Sequence, residues 1–194
     1  MTAAYSRVQP GEALTDAELI SKIAHDDLGA LGAIFDRHHK RVARVLARTG
    51  VNSADVDDLV QATFLEVPKT ARAYDGRDSC AAWLCGIAVR LASRRRRSLG
   101  RLLRAWTSFA STAPTTTLVN PENEAASRQE LETFAHALAQ LAQKKRDAFV
   151  MIELEGFSAE EVARAIGANP ATVRTRLHHA RQELREAMKP GGAQ

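Results

Sequence analysis

Between Pro170 and Met188 the residues able to recognise a partner fall at helical spacing. At 100° per residue, Arg174, Thr175, His178, His179, Gln182 and Arg185 share one face. Val173, Leu177, Ala180, Leu184 and Met188 form the opposite stripe, which must face a core. Guanidinium, imidazole and amide donors beside a methyl-bearing hydroxyl are the groups that read base edges in a major groove. Arg176 and Arg181 stand on the flanks of that face, where phosphates would lie. A merely solvated face can carry the same residues, and similar helix pairs occur in proteins that bind no nucleic acid.

Two further charge groups bear on that choice. Arg94, Arg95, Arg96 and Arg97 are consecutive, with Arg90, Arg101 and Arg104 around them. Crowding cations in this way is costly unless a polyanion neutralises them, so a phosphate backbone is favoured over a solvated run. Asp55, Asp57, Asp58 and Glu66 would repel a duplex, so their helix should face a protein or water. No His lies at a spacing that would make those acids a metal site.

Catalytic chemistry finds no support, and no enzyme activity, cofactor or metal is expected. The chain has no G-x-S-x-G, Walker A loop, G-x-G-x-x-G or HExxH. Cys80 and Cys85 lack a second pair or a nearby His, so they are read as loop and core thiols rather than zinc ligands. Two cysteines make no disulfide scaffold and fit a reducing cytoplasm. His38-His39 reads as a polar helix edge, and Phe35, Phe64, Phe149 and Phe157 sit at helical apolar positions expected in the core.

The elements that must position these groups are all helical. Thr15-Asp-Ala-Glu18 is a capping box, opening a helix with Leu19, Ile20 and Ile23 inward. Leu31, Ile34, Phe35, Val42, Val45 and Leu46 mark a second helix over 28–48, broken by Gly50 and Asn52. Ser53 is placed to cap a third, with Val56, Leu59, Val60, Phe64 and Val67 buried and Pro68 ending or kinking it. After the YDGRDS loop, Trp83, Leu84, Ile87, Ala88 and Leu91 share one face of a fourth. Ser158-Ala-Glu-Glu161 is a second capping box, starting a short helix with Val162, Ala163 and Ile166 inward. Gly167-Ala-Asn169 turns the chain, and Asn169 caps the last helix with Pro170 at its first position. Short helix, Gly-containing turn and longer helix make a helix-turn-helix. No strand pattern and no internal repeat are visible.

Length and charge set the organisation. With 194 residues, 45% hydrophobic and 5% aromatic, two small domains are affordable. TSFASTAPTTTLVNPEN (107–123) is rich in Ser, Thr and Pro without helical period, and reads as a linker. The expected division is 1–106, a linker over 107–127, and 128–194. The net charge of +4 hides blocks: residues 12–66 hold ten acids against six bases, while 69–106 hold ten bases against two acids. Such blocks point to separate surfaces for different partners. No apolar run of eighteen residues occurs, so membrane insertion is not expected. The N-terminal stretch lacks the apolar core of a secretory signal.

These residues carry a family resemblance. DVDDLVQATFLEV (55–67), YDG (74–76) and AAWLCGIAVRLASRRRR (81–97) resemble region 2 of the extracytoplasmic-function (ECF) sigma factors. ALAQLAQKKRDAFVMIELEGFSAEEVARAIGANPATVRTRLHHARQELREAM (137–188) resembles their region 4. The resemblance implies an all-α fold of two small helical domains joined by a linker, and a non-catalytic, cytoplasmic subunit. That subunit would bind core RNA polymerase and direct promoter recognition, melting and initiation. It implies that Asp55, Asp58, Gln61 and Phe64 dock on the clamp helices of the largest polymerase subunit. It implies that Asp75, Gly76, Arg77, Asp78 and Ser79 capture an unstacked base of the −10 element, with Arg90, Arg94 and Arg95 on the adjacent backbone. Arg174, Thr175, His178 and His179 would then read the −35 element, with Arg176 and Arg181 on its phosphates. An anti-sigma factor is a further implied partner.

The chain departs from the family pattern at Pro68, at Arg90 (usually Asn), at Ala142 (commonly Pro) and at His179 (frequently Arg). The His179 imidazole implies a −35 contact whose strength varies near neutral pH. The alternative reading is a free-standing helix-turn-helix regulator that binds duplex DNA without polymerase.

Overall fold

The computed structural model describes residues 14–106 and 125–189, with side-chain surroundings over 14–98 and 129–189. The segment 107–124, where most of the expected linker falls, and the side chains of Arg101 and Arg104 lie outside the described residues. Among the described residues every regular element is helical.

α1 (Asp16–Ile23) begins at the Thr15 capping box: the Glu18 N–H donates to Thr15 Oγ1 at 3.3 Å, and the Thr15 N–H donates to Glu18 Oε2 at 2.7 Å. α2 (Leu28–Arg48) is capped by Asp27, whose Oδ1 accepts from the Ala30 N–H at 3.0 Å. α3 (Ser53–Thr70) is capped one residue earlier than the sequence pattern implies. Asn52, not Ser53, accepts from the Ala54 N–H, at 3.2 Å. An amide at this position caps as well as a hydroxyl, so type alone does not separate the two. Pro68 lies inside α3, which closes two residues later and passes into a 3-10 turn at Ala71–Ala73.

α4 (Cys80–Trp106) is the hub of the fold. Leu84, Cys85, Ala88 and Ala92 are buried, and so are Ala81, Ala82, Ile87 and Val89 on its other sides. A helix apolar all round must be covered all round: α2 and α3 pack on one flank and α7 on another.

The second half comprises α5 (Ala125–Gln140), α6 (Gln143–Phe149) running on into a π-helical turn at Val150–Leu154, α7 (Ala159–Ile166) and α8 (Pro170–Ala187). Residues 125–127, which the sequence pattern gives to the linker, are the first turn of α5. α7 and α8 form the helix-turn-helix. Ser158 and Glu161 make the expected capping box, Gly167 turns the chain at φ 69°, and Asn169 Oδ1 accepts from the Ala171 N–H at 2.8 Å. A positive φ there favours glycine, which carries no Cβ to clash. Val173, Leu177, Ala180 and Leu184 are buried as their period requires. Met188 is exposed, because it closes the helix rather than continuing its stripe. Ile166 packs against the core partly buried, and Ala165, which meets α4, is fully buried beside it.

The two halves are packed on one another. A Cβ placed on Gly86 of α4 would stand 2.5 Å from both Cβ and the carbonyl oxygen of Ala165, so only glycine lets α7 approach this closely.

Candidate functional site

On α8 the exposed face is the one expected. Arg174, Thr175, His178, His179, Gln182 and Arg185 all reach solvent, and Arg176 is half-buried. Two of its arginines are held by neighbours: Arg174 pairs with Glu160 of α7, and Arg181 Nε donates to Glu153 Oε1 at 3.1 Å. Such exposed pairs are weak and readily exchanged for phosphate. The Thr175 hydroxyl donates to the Ala171 carbonyl at 3.0 Å.

The 74–79 loop is shaped from within. The Tyr74 hydroxyl donates to the Asp78 carbonyl at 2.7 Å and its ring packs against Trp83 at 5.0 Å. Burial, then the nearby Cys80, pushes the Tyr74 hydroxyl up to about 12, so it stays a donor. Asp75 Oδ1 accepts from the Arg77 N–H at 3.1 Å, and Gly76 takes φ 72°. Ser79 caps α4, its Oγ accepting from the Ala82 N–H at 3.2 Å. Asp75, Gly76 and Arg77 are exposed, whereas the Asp78 side chain is only 11% exposed.

What covers Asp78 is the helix-turn-helix. Arg164 of α7 donates through Nε to both Asp78 oxygens, at 2.9 and 2.8 Å, and through Nη2 to one of them. Glu161 accepts from the Ser79 N–H at 3.3 Å. The polar cleft behind the loop, lined by Tyr74, Asp75, Asp78, Trp83 and Arg90, is therefore walled by Arg164 and Ala165.

A second lock joins α2 to the π-turn. The Glu155 side chain is wholly buried and accepts from Arg41 Nε at 3.0 Å, from Arg44 Nε and Nη2 at 2.8 Å each, and from Arg48 Nη1 at 3.0 Å. Burial works to raise its pKa, but the hydrogen bonds from Arg44 and Arg41 outweigh it and hold the carboxyl below its usual value. Arg41 also stacks over Phe157 at 4.6 Å, and Gln143 Nε2 bridges the Thr49 carbonyl and Asp147 at 2.8 and 2.7 Å. The sequence sign of this lock is Arg41, Arg44 and Arg48 at spacings of three and four, a basic stripe in an acidic segment.

The basic belt is not separate from the acidic helix. Arg95 bonds Asp55 at 2.5 Å and lies 3.9 Å from Asp58, while Arg94 and Arg97 stay exposed. Arg90 is half-buried beside the cleft; burial, then Arg94, lowers its pKa. Beyond Asp58 and Gln61, both exposed, α2 and α3 enclose an apolar groove. Leu28, Leu31, Gly32, Phe35, Gln61, Phe64 and Leu65 line it. Leu28 and Leu65 are 78% and 62% exposed, and with Phe35 they form one apolar patch rather than scattered single side chains. Phe64 is its buried floor. Phe35 is not the core residue its position implies: it stands at the rim, edge-on to Phe64 at 4.9 Å and stacked on His39 at 4.8 Å.

Sequence reasoning passed over one more cluster. His38 Nε2 lies 2.8 Å from Asp16 Oδ2, and Cys80 stands beside both, so a histidine does approach a thiol here. Only tertiary packing brings α1, α2 and α4 to one point.

The comparisons with known proteins agree with this layout. Residues 34–111 match the family model for sigma-70 region 2, and residues 131–184 that for sigma-70 region 4. The chain is 34% identical to the RNA polymerase sigma factor CarQ of Myxococcus xanthus, over 80% of this chain and 87% of that protein. It is 28% identical to the ECF RNA polymerase sigma-E factor of Escherichia coli K12, over 92% and 97% of the two chains. Among solved structures it resembles CnrH in complex with the cytosolic domain of CnrY, with a TM-score of 0.61, 26% identity and coverage of 88% and 94%. It shares the fold of the Bartonella quintana sigma factor RpoE solved with the anti-sigma factor NepR, with a TM-score of 0.65, 22% identity and coverage of 79% and 92%. A free-standing helix-turn-helix regulator is not favoured, because the match extends through region 2 as well as region 4. The acidic and apolar face, the 74–79 loop and the helix-turn-helix thus lie in a chain that belongs to the extracytoplasmic-function group of RNA polymerase sigma factors, which direct transcription initiation.

Proposed function

We propose that the chain docks on core polymerase through Asp55, Asp58, Gln61 and Phe64, together with Leu28, Leu31, Phe35 and Leu65 around the same groove. A partner helix carrying apolar side chains and a basic flank fits an apolar trough with an acidic margin. Asp75, Gly76, Arg77, Asp78 and Ser79 then take a −10 base from the non-template strand, with Arg90, Arg94 and Arg95 on its backbone. Arg174, Thr175, His178 and His179 read the −35 element, flanked by Arg176 and Arg181. The domains behind these roles are 1–106 and 128–194, joined by a linker over 107–127, of which 125–127 already belong to α5. We place the protein in the cytoplasm and assign it no catalysis of its own. No helix among the described residues is long and apolar enough to cross a membrane.

One observation carries this reading. A single chain pairs an open apolar groove, one helical turn from Asp58 along α3, with a helix-turn-helix whose outer face is rich in hydrogen-bond donors. The Arg164–Asp78 contact adds an order of events: α7 withholds Asp78 from a base until it moves, although Asp75, Gly76 and Arg77 are already exposed. Docking on polymerase, where the groove is already open, precedes separation of α7 from α4, and DNA follows. The relative CnrH was solved bound to the cytosolic domain of CnrY. By extension an anti-sigma partner would keep this chain closed.

In vitro transcription tests it. Purified chain plus core polymerase on genomic fragments should give promoter-specific transcripts with defined starts, and the chain alone should protect no duplex site. Protection of a palindromic site without polymerase would reverse the assignment.

A further inference from the structure

We propose that Asp16, His38 and Cys80 form a site for one divalent transition metal of the zinc class. A carboxylate oxygen of Asp16, an imidazole nitrogen of His38 and Sγ of Cys80 all lie within 4.8 Å of one another. The three come from the first residue of α1, the middle of α2 and the first residue of α4. Around a tetrahedral zinc, such donors stand about 3.3–3.7 Å apart, given metal–ligand bonds near 2.0–2.3 Å. Asp16 Oδ2 and His38 Nε2, now 2.8 Å apart, need only open slightly, and the sulfur needs to close by roughly 1 Å.

The donor set selects the ion. One oxygen, one nitrogen and one sulfur suit zinc or cobalt, whereas magnesium and calcium require oxygen alone. Arg37 Nη1 holds the other Asp16 oxygen at 2.9 Å, fixing the carboxylate from outside as ligand-supporting residues do. The site is closed at one end and open at the other. Cys80 is 3% exposed, while the His38 and Asp16 side chains are 14% and 31% exposed. An ion therefore enters from the Asp16 side and keeps a fourth position for water. Binding releases the Cys80 thiol proton as the metal–sulfur bond forms, and the imidazole binds through Nε2 as its Nδ1–H tautomer. Nothing is oxidised or reduced.

The position gives the ion a consequence. Cys80 directly follows Ser79, the residue that ends the 74–79 loop and caps α4. A bound ion would clip that end of the loop to α1 and α2, which the Asp16–His38 pair alone does not reach. The claim does not depend on the polymerase reading, because it is measured on the isolated full-length chain.

The test is titration of the untagged, reduced full-length chain with Co²⁺. One equivalent should produce tetrahedral d–d bands and a thiolate-to-cobalt charge-transfer band, both lost when Zn²⁺ is added. Zinc should raise Tm by roughly 4 °C or more. Cys80→Ser should abolish the charge-transfer band and weaken zinc binding at least ~10-fold, and His38→Gln, which can keep a hydrogen bond to Asp16, should weaken it comparably. Cys85→Ser, at the other buried thiol, should change neither. Absence of the charge-transfer band in the native chain, or equal zinc affinity in Cys80→Ser, would show that Asp16–His38 is an ion pair only and overturn the proposal.

Discussion

The two faces of the first four helices proposed to meet partners differ in one respect: one is open and the other is partly covered. The α2–α3 groove leaves Leu28 and Leu65 in water, with exposed Gln61 and the Arg95-paired Asp58 beside them. The 74–79 loop has the Asp78 side chain gripped by Arg164 and the Ser79 N–H bound by Glu161. Exposed apolar area seeks a partner by hydrophobic burial, which needs no prior rearrangement. A loop held by charge-assisted hydrogen bonds must first exchange them. On the proposed reading, the contrast sets a sequence in which protein is bound first and DNA second.

The strongest way to break the comparison is to spoil the open face. Leu28→Asp with Leu65→Asp should weaken binding to core polymerase about 100-fold, close to 3 kcal/mol, because buried charge replaces central apolar contacts. The fold should be intact, since both side chains already face water. Fluorescence titration of labelled chain against core polymerase measures the effect, and a loss under threefold would remove the groove from the docking surface.

Next is the lock. Glu155→Gln leaves the shape of the side chain but removes the charge that three arginines share. The closed state should lose about 2 kcal/mol, a shift of roughly 30-fold toward separated halves. Energy transfer between dyes on α3 and α8 reads this directly, and affinity for a single-stranded −10 oligonucleotide should rise with it. Unchanged transfer would mean that the contacts of Gly86 with Ala165 suffice to hold α7.

A smaller effect is expected from pH. Burial raises the Asp147 carboxyl from 3.8 to about 6, although Gln143 and nearby arginines pull the other way. A raised folded pKa means the folded state binds the proton more tightly. Its stabilising contribution is full below about 4 and is lost as pH rises through about 6. Going from pH 5.5 to 7.5 should cost roughly 1 kcal/mol, and Asp147→Asn should remove that slope from melting curves. Glu155, held below its usual value, remains ionised throughout this window and does not confuse it.

The mildest change is Arg164→Ala. Its guanidinium is half in water, so the loop should gain oligonucleotide affinity by less than in Glu155→Gln. A larger gain would make the Asp78 contact, not the Glu155 cluster, the principal lock.

How far the sequence reaches follows from distance along the chain. Both capping boxes, the Gly167 turn, the Asn169–Pro170 start and the buried stripe from Val173 to Leu184 involve residues a few positions apart, and all are as the pattern implies. Where two adjacent residues compete for a role, as Asn52 and Ser53 do, pattern cannot choose between them. Phe35 shows the other failure: helical period tells which residues share a face but not whether a partner helix covers its far edge.

The sequence by itself determined an all-helical chain and a helix-turn-helix with a donor-rich outer face, because capping and amphipathic period are local physics. It also carried the two charge blocks. Tertiary structure alone decided that these blocks touch through Arg95 and Asp55, and that Glu155 gathers three arginines more than a hundred residues away. It alone placed α7 across the 74–79 loop and set His38 beside Cys80. Contacts of that kind depend on how whole helices pack around α4, and no spacing within one helix encodes the packing of another.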